Sequence, residues 1–226
     1  LPEPWFAETY AAPEFNSHWD MAVLPVQARL GRVVSEAGQV EAYAGLRINA
    51  DTRSTAGVFG PEIYTDNAAV GFVGLRARPV RALPLAFFAE AGHARDMTDR
   101  GRDRWRGDVR AGFQFYDEWG KQAPCGKRAG IRPIADLYVD GIYYSRYDDN
   151  VLFYARVRPG LRLADSSGLA ADAYLLAAIG RDTKDRAGNA YEELGAGAAL
   201  HFFRPGTLSL RAEGVRAFRH DGLDSY

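Results

Sequence analysis

The sequence predicts an all-β fold, an antiparallel up-and-down transmembrane β-barrel of about 10–12 strands. Polar and apolar residues alternate with a period of two along most of the 226 residues, and this spacing separates side chains onto the two faces of a strand. Clusters of Gly, Pro, Asp, Asn and Ser interrupt the alternation, as turns between strands do. No stretch of helical length shows the 3.6-residue period of an amphipathic helix.

The composition excludes several classes of protein. Hydrophobic residues form 47% and charged residues 25% of the chain, which excludes disorder by composition. The 28 basic and 29 acidic residues give a net charge of −1, so no general field favours nucleic acid as a partner. The single cysteine, Cys125, excludes an intrachain disulfide framework and a thiolate zinc cluster.

The low mean hydropathy of −0.29 is compatible with a membrane barrel. The sequence contains no apolar run of the roughly 20 residues that a spanning helix needs. A membrane β-strand needs only about 9–11 residues, of which every second one is apolar. Low hydropathy therefore does not exclude a membrane protein of the β class.

The chain is expected to divide into an extended N-terminal lead-in, residues 1–20, and a β-barrel, residues 21–226. Three prolines lie in the lead-in, and proline disfavours helix interiors and central strands. Residues 222–226 resemble the entry to another strand, so we expect the barrel to continue beyond Tyr226.

Ten alternating runs are expected to be the strands of the barrel: residues 21–34, 38–50, 67–79, 84–95, 105–116, 133–146, 150–163, 168–181, 190–203 and 206–219. The longer links between them, at 51–66, 96–104, 117–132 and 182–189, tend to alternate with short turns. This arrangement favours an up-and-down meander with the longer loops at one end.

The first five runs show the alternation in order. The run at 21–34 begins it, and residues 46–49 (Leu-Arg-Ile-Asn) and 75–78 (Leu-Arg-Ala-Arg) repeat it in the next two runs. In the fourth run, Glu90 lies between two alanines. In the fifth, residues 105–115, the charged residues occupy even-numbered positions and the apolar ones occupy odd-numbered positions.

The last five runs continue the pattern. In the sixth, aspartate and tyrosine alternate with Leu137 and Val139, and in the seventh, residues 151–163, arginines alternate with apolar residues. The three remaining runs, within 168–219, complete the series. On a helix these charges would scatter around the cylinder, whereas a strand places them on one face.

The balance between the two faces favours a membrane barrel. The apolar face is rich in alanine, whereas the core of a soluble barrel needs larger side chains to reach native packing density. The opposite face has charges of both signs in mid-strand, which suits a lumen where charges pair across strands. Aromatic residues gather near strand ends, as in membrane-interface belts. The alternative is a soluble, ligand-binding barrel with its apolar face inside.

Nine residues are candidates for lining the lumen or a substrate path: Arg106, Asp108, Arg110, Asp136, Tyr138, Asp140, Arg156, Arg158 and Arg162. The arginines would favour anionic solutes or acidic sugars, and tyrosine rings would stack on sugar rings. The same charges would equally form a neutral plug of ion pairs. Both interpretations are open at this point.

Asp136 and Asp140 share one face of a predicted strand, about 13 Å apart at the rise of an extended chain. This spacing exceeds the roughly 5–9.5 Å between the paired carboxylates of glycosidases. We expect a structural role instead, in which Asp136 and Asp140 pair with Arg156 or Arg158 on the next strand.

Catalytic chemistry has weaker support in the sequence, and we expect no cofactor. The four histidines lack the spacing of a metal site: His18, His93, His201 and His220. Ser209, His201 and Glu213 lie on two adjacent predicted strands and would suit a hydrolase triad, which is recognised by geometry, but no G-x-S-x-G motif is present. Cys125 is interpreted as an incidental loop cysteine.

Three stretches resemble a known family of proteins: Asp136–Tyr144, Leu152–Gly160 and Glu192–Gly197. They are similar to the C-terminal β-barrels of Gram-negative outer-membrane proteins of the phage-adsorption protein A and exopolysaccharide-export porin type. The resemblance covers about residues 67–219 and rests on the strand pattern. Two features of the family are not found in the sequence, namely a helical-repeat region and a terminal aromatic strand.

The resemblance implies a location in the bacterial outer membrane and no catalytic residues. It implies a conduit or anchor for the export or display of a surface polysaccharide, similar to a phage receptor. The implied partners are outer-membrane lipid, a polysaccharide and periplasmic export components. An outer-membrane enzyme that acts on lipid is a further alternative.

Overall fold

The computed structural model describes residues 4–17, 20–35, 39–56, 65–99, 103–120, 130–165, 168–184, 189–202 and 208–219. The strands within these residues are β1 (Trp5–Ala11), β2 (Glu14–Asn16), β3 (Met21–Val33), β4 (Val40–Asp51), β5 (Ala68–Ala77), β6 (Leu85–Asp96), β7 (Trp105–Trp119), β8 (Arg132–Tyr144), β9 (Asn150–Asp165), β10 (Leu169–Asp182), β11 (Tyr191–Phe202) and β12 (Leu208–Arg219). A 3-10 turn, Ser145–Tyr147, separates β8 from β9. Among the described residues, no helix is long and apolar enough to cross a membrane.

The strands form one antiparallel, up-and-down sheet. Its hydrogen-bonded order runs from β1 through β3 and then consecutively to β12, and β2 pairs with β3 beside this path. The prediction of an all-β, up-and-down fold with about 10–12 strands is confirmed. Among the described residues this order is linear, with no pairing between β1 and β12. Closure into a barrel and insertion into a membrane stay predictions.

The ten predicted runs correspond in order to β3–β12. β7 continues to Trp119, beyond its predicted end at residue 116, and β8 stops at Tyr144, before its predicted end at residue 146. The early end of β8 has a local cause, because Asp148 and Asp149 adopt left-handed conformations with φ of 58° and 56°. Aspartate tolerates this conformation better than most residues do.

Within the N-terminal segment, β1 and β2 both pair with β3. β1 lies antiparallel to β3, from Trp5 opposite Arg32 to Ala11 opposite Val26. The prolines of this segment do not prevent the pairing, since Pro13 lies between β1 and β2. Proline has no backbone N–H to donate, but between two strands no hydrogen bond of the sheet is lost for that reason.

The chain divides into two compact units. The first unit comprises Leu1–Gly112 with Tyr143–Asp149, and the second comprises Phe113–Ile142 with Asn150–Tyr226. Each unit contains part of the predicted polar face.

In the first unit, charged side chains lie on the buried face of the sheet. Tyr43 Oη donates a hydrogen bond of 3.1 Å to Glu90 Oε1, and Arg47 forms an ion pair of 2.8 Å with Glu90. The Arg47 guanidinium lies 4.5 Å from the centre of the buried Phe72 ring. On the other face of the same strand, Val73 is 61% exposed.

The second unit shows the same distribution most clearly in β10. Asp172 is 3% exposed, whereas Leu175 is 64% exposed, and Ile179 is also exposed. A soluble protein places such residues the other way round, because burying an unpaired charge costs several kcal/mol. The charged face is therefore the buried one in both units, and the apolar face is exposed.

Gly92 provides a test of strand packing in the first unit. A Cβ atom at Gly92 would lie 2.1 Å from the backbone oxygen of Gly71, whereas a Cβ atom at Gly71 would meet nothing within 4 Å. We expect Gly92→Ala to lower the free energy of unfolding by about 1–3 kcal/mol, since backbone atoms must shift. Gly71→Ala, on the paired strand, is expected to stay within about 0.5 kcal/mol of the wild type. Urea titration of both variants measures this difference, and equal losses would refute the packing explanation.

Candidate functional site

The structure places the nine predicted site residues in three groups. The first group lies in the first unit, and we call it the Arg146 cluster: Asp66, Asp96, Arg106, Asp108, Arg110 and Arg146. The other two groups lie in the second unit, around Arg158 and around Tyr138.

Arg146 makes the central contacts of its cluster. Its Nη2 lies 2.5 Å from Asp66 Oδ1, its Nη1 lies 3.5 Å from Asp96 Oδ1, and its Nε lies 3.2 Å from Asp108 Oδ2. The Arg146 side chain is only 1% exposed. A buried charge of this kind is tolerated only where counter-charges and hydrogen bonds surround it.

Two further arginines complete the Arg146 cluster. Arg110 Nη2 lies 2.7 Å from Asp108 Oδ2, and Arg110 Nε donates to Asp108 Oδ1 at 2.9 Å. Arg106 Nη2 lies 3.7 Å from Asp96 Oδ2. Three guanidinium groups thus face three carboxylates, and the cluster is formally neutral. The charges of the cluster therefore pair with one another.

The 3-10 turn positions Arg146 inside the cluster. The backbone N–H of Val109 donates to Ser145 Oγ at 2.8 Å, and the Arg146 guanidinium lies 5.2 Å from the centre of the Tyr147 ring. Burial alone would lower the pKa of Arg146, but the charges of Asp66, Tyr147 and Asp108 and the hydrogen bond to Asp66 together outweigh this effect, and the pKa is raised. Burial, reinforced by the charge of Asp66, also raises the pKa of Tyr147.

Sequence reasoning missed Arg146, Asp66 and Asp96 as site residues. Arg146 is the last residue of the predicted strand 133–146. Asp66 is the last residue of the predicted loop 51–66, and Asp96 is the first residue of the predicted loop 96–104. The available signal was the Asp148-Asp149-Asn150 turn, which shows that the chain reverses directly after Arg146.

In the second unit, Arg158 has two acidic neighbours. Its Nη1 lies 4.0 Å from Asp136 Oδ2, and its Nε lies 3.4 Å from Glu213 Oε1. Tyr174 Oη donates to Glu213 Oε1 at 2.7 Å, and the Arg158 guanidinium lies 5.4 Å from the centre of the Tyr174 ring. The expected pairing of Asp136 with an arginine of the next strand is therefore present.

Arg162 binds an aspartate that sequence reasoning missed. Arg162 Nε donates to Asp172 Oδ1 at 2.7 Å, and Arg162 Nη2 donates to Asp172 Oδ2 at 3.0 Å. This two-point contact joins β9 to β10. The signal for Asp172 was present, because it is the single charged residue among the alanines and leucines of residues 169–180.

Asp172 also contacts His201, which in turn contacts Ser209. His201 Nε2 lies 3.0 Å from Asp172 Oδ2, and His201 Nδ1 lies 2.8 Å from Ser209 Oγ. The sequence predicted Glu213 as the acid of this triad, and that prediction is wrong. Glu213 contacts Arg158 and Tyr174 instead, because Asp172 on the other neighbouring strand is the carboxylate that reaches His201.

A small cleft lies between these side chains. Its volume is about 10 Å³, and it is lined by Ile134, Asp136, Arg158, Asp172, Tyr174, Ala199, His201 and Arg211. This volume is close to the minimum that one water molecule needs.

The third group contains Tyr138, Asp140 and Arg156. Tyr138 Oη donates to Asp140 Oδ2 at 2.7 Å, and the Arg156 guanidinium lies 5.8 Å from the centre of the Tyr138 ring. The ring of Tyr154 lies 6.0 Å from that of Tyr138. Asp140 is thus engaged with a tyrosine and Asp136 with an arginine, so the two aspartates do not act as a pair.

Several sequence candidates are not part of these groups. Within the part of the chain that the structure describes, no group of three or more His, Cys, Asp or Glu side chains is arranged to hold a metal ion. His93 is exposed on β6. Cys125, His18 and His220 lie outside the described residues.

Comparison of the chain with family models, with curated proteins and with solved structures gave no match. The resemblance to outer-membrane export and phage-adsorption barrels therefore stays a prediction from the sequence. The functional interpretation rests on the side-chain geometry and on the distribution of charge between the two faces.

Proposed function

We propose that this chain is a bacterial outer-membrane β-barrel that serves as a conduit or anchor for the export or display of a surface polysaccharide. One observation supports the membrane location above all others. The exposed face of the sheet is apolar, and the buried face is charged and ion-paired. A protein in lipid needs this distribution, because lipid tails solvate the apolar face.

The exposed apolar side chains are too large and too numerous for a surface in water. The exposed apolar residues that share one face of β10–β12 include Leu169, Leu175, Ile179, Leu194, Leu200, Leu208, Leu210 and Phe218. Soluble monomers rarely expose contiguous apolar patches of more than a few hundred Å². A strand face of this composition is suited to hydrocarbon.

The ion pairs favour an anchor over an open conduit. In the first unit, the three guanidinium groups of the Arg146 cluster are neutralised by three carboxylates. In the second unit, the cleft beside Arg158 has a volume of only about 10 Å³. Arginines that are already ion-paired with carboxylates attract a passing anion only weakly.

The Tyr138 group supports a sugar as the ligand to be displayed. It combines two half-buried tyrosine rings, Tyr138 and Tyr154, with the hydrogen-bonding side chains of Asp140 and Arg156. Ligand sites of this type use aromatic surfaces for contact and a few polar groups for orientation. The identity of the sugar as a surface polysaccharide comes from the resemblance alone.

Purification with and without detergent, followed by folding into phospholipid vesicles, tests the proposal. We expect the chain to need detergent or lipid to stay monodisperse and to migrate differently on SDS gels before and after boiling. A protein that remains soluble and monomeric without detergent would contradict the proposal and favour the soluble ligand-binding barrel.

Planar-bilayer recording separates the two forms of the proposal. An anchor with a neutralised interior is expected to give little or no conductance. A large conductance that prefers anions, and that loses this preference in Arg158→Ala, would instead show an arginine-lined conduit.

A further inference from the structure

Asp172, His201 and Ser209 form a hydrogen-bonded chain across three neighbouring strands. His201 on β11 lies directly opposite Ser209 on β12 and opposite Ala170 on β10. Asp172 is two residues further along β10, so its side chain shares a face with His201. The rigid sheet, rather than a loop, thus sets both distances.

The Asp172 carboxylate determines which nitrogen of the His201 imidazole carries the proton. An ionised aspartate only accepts hydrogen bonds, so His201 Nε2 must carry the proton that it donates to Asp172. Nδ1 is then left as the acceptor for the Ser209 hydroxyl. The two hydrogen bonds from Arg162 hold Asp172 in place. This is the arrangement of roles in a serine hydrolase triad, with the two imidazole nitrogens exchanged relative to the usual order.

We propose that Ser209 is the nucleophile of a hydrolase for short-chain carboxylic esters, with His201 as general base and Asp172 as the positioning residue. Ser209 is exposed on β12, and a substrate can therefore reach its hydroxyl. Arg211 lines the same cleft as His201, where a cation stabilises negative charge that develops on a carbonyl oxygen.

The reaction follows the usual acyl-enzyme sequence. Ser209 Oγ attacks the ester carbonyl carbon and passes its proton to His201 Nδ1; the bond to the alcohol oxygen breaks, and that oxygen takes the proton. A water molecule then attacks the acyl carbon, passes a proton to His201, and the bond to Ser209 Oγ breaks. His201 returns its proton to Ser209, and a carboxylic acid leaves.

The surroundings select the class of ester. Ser209 lies on the charged face, together with His201 and Asp172, whereas its neighbours Leu208 and Leu210 are exposed on the opposite face. Charged and polar side chains form most of the lining of the cleft beside His201, and its volume of about 10 Å³ is too small for a long acyl chain. The exposed Ser209 hydroxyl and the small, charged cleft beside it therefore favour acetyl esters of polar alcohols over membrane lipids.

Covalent labelling with an alkyl fluorophosphonate tests the nucleophile directly. We expect mass spectrometry of the whole folded chain to locate the adduct on Ser209 and to find none in Ser209→Ala. Ser54→Ala is the matched control, because Ser54 Oγ donates to a carboxylate oxygen, Asp51 Oδ2, at 2.7 Å. Labelling of the folded wild type at other serines only, or not at all, would overturn the proposal.

Ester hydrolysis tests the roles of His201 and Asp172. Nitrophenyl acetate is expected to be hydrolysed faster than nitrophenyl palmitate, and His201→Gln to lower the rate by about 10²-fold or more. Asp172→Asn is expected to lower the rate strongly, and Asp172→Glu to restore part of it, since the carboxylate returns. Circular dichroism and urea titration verify folding of each variant. Equal rates in the wild type and in folded His201→Gln would contradict the proposal.

Discussion

Replacing Leu175 by arginine is expected to lower the free energy of unfolding of the protein in a bilayer by about 2–4 kcal/mol. Leu175 lies in the middle of β10, and its side chain is 64% exposed. If this face contacts lipid, an arginine here must bring its charge into the hydrocarbon or distort the bilayer around it. Urea titration of the protein folded in vesicles measures the change.

Val80→Arg is the matched control for Leu175→Arg. Val80 is also exposed, but it lies in the turn between β5 and β6, where a charge can reach water. Its effect is expected to stay within about 0.5 kcal/mol. In a soluble protein both substitutions would be harmless, so equally small effects would refute the assignment of the apolar face to lipid.

Replacing Arg146 by methionine is expected to lower the free energy of unfolding by about 3–5 kcal/mol. The substitution leaves three buried carboxylates, Asp66, Asp96 and Asp108, with one guanidinium fewer. Because the pKa of Arg146 is raised in the folded state, its contribution is fully present below the unfolded-state pKa. That contribution is lost only as the pH rises through the folded-state pKa. The loss in the variant should therefore be measurable by urea titration at neutral pH.

Arg104→Met is the control for this prediction. Arg104 Nη2 lies 2.8 Å from Asp99 Oδ2, at a distance typical of a strong ion pair, but the side chains are 45% and 52% exposed. An exposed pair of this kind contributes about 0–1 kcal/mol. Similar losses in the two variants would mean that the Arg146 cluster is not a buried, tightly paired network.

The strands could be predicted from the sequence because their alternation is local. In residues 155–163, arginines lie at positions 156, 158 and 162 and apolar residues at the odd-numbered positions, and the structure forms β9 there. Residues 5–16 were expected only to be extended, and the pairing of β1 with β3 depends on a partner more than a dozen residues away. Prolines at the edges of a strand lower its local propensity without preventing its pairing.

The side-chain clusters were harder to predict because they depend on register. Arg146 and Asp66 are 80 residues apart in sequence, and only the turn after β8 brings them together. The hydrolase triad shows the same limit. His201 and Ser209 were predicted to lie on adjacent strands, but the acid was predicted to be Glu213 on β12, whereas Asp172 on β10 contacts His201. A strand inside a sheet has two neighbours, and sequence alone did not indicate which one supplies the carboxylate.

A spin label at Leu175 measures whether the exposed apolar face of the sheet contacts lipid. The label is attached to Leu175→Cys, with Val80→Cys as the reference, in a Cys125→Ser background folded into phospholipid vesicles. We predict that the label at position 175 collides mainly with oxygen, which concentrates in hydrocarbon, and that the label at position 80 collides mainly with a water-soluble nickel chelate. Equal access of the nickel chelate to both labels would contradict the account.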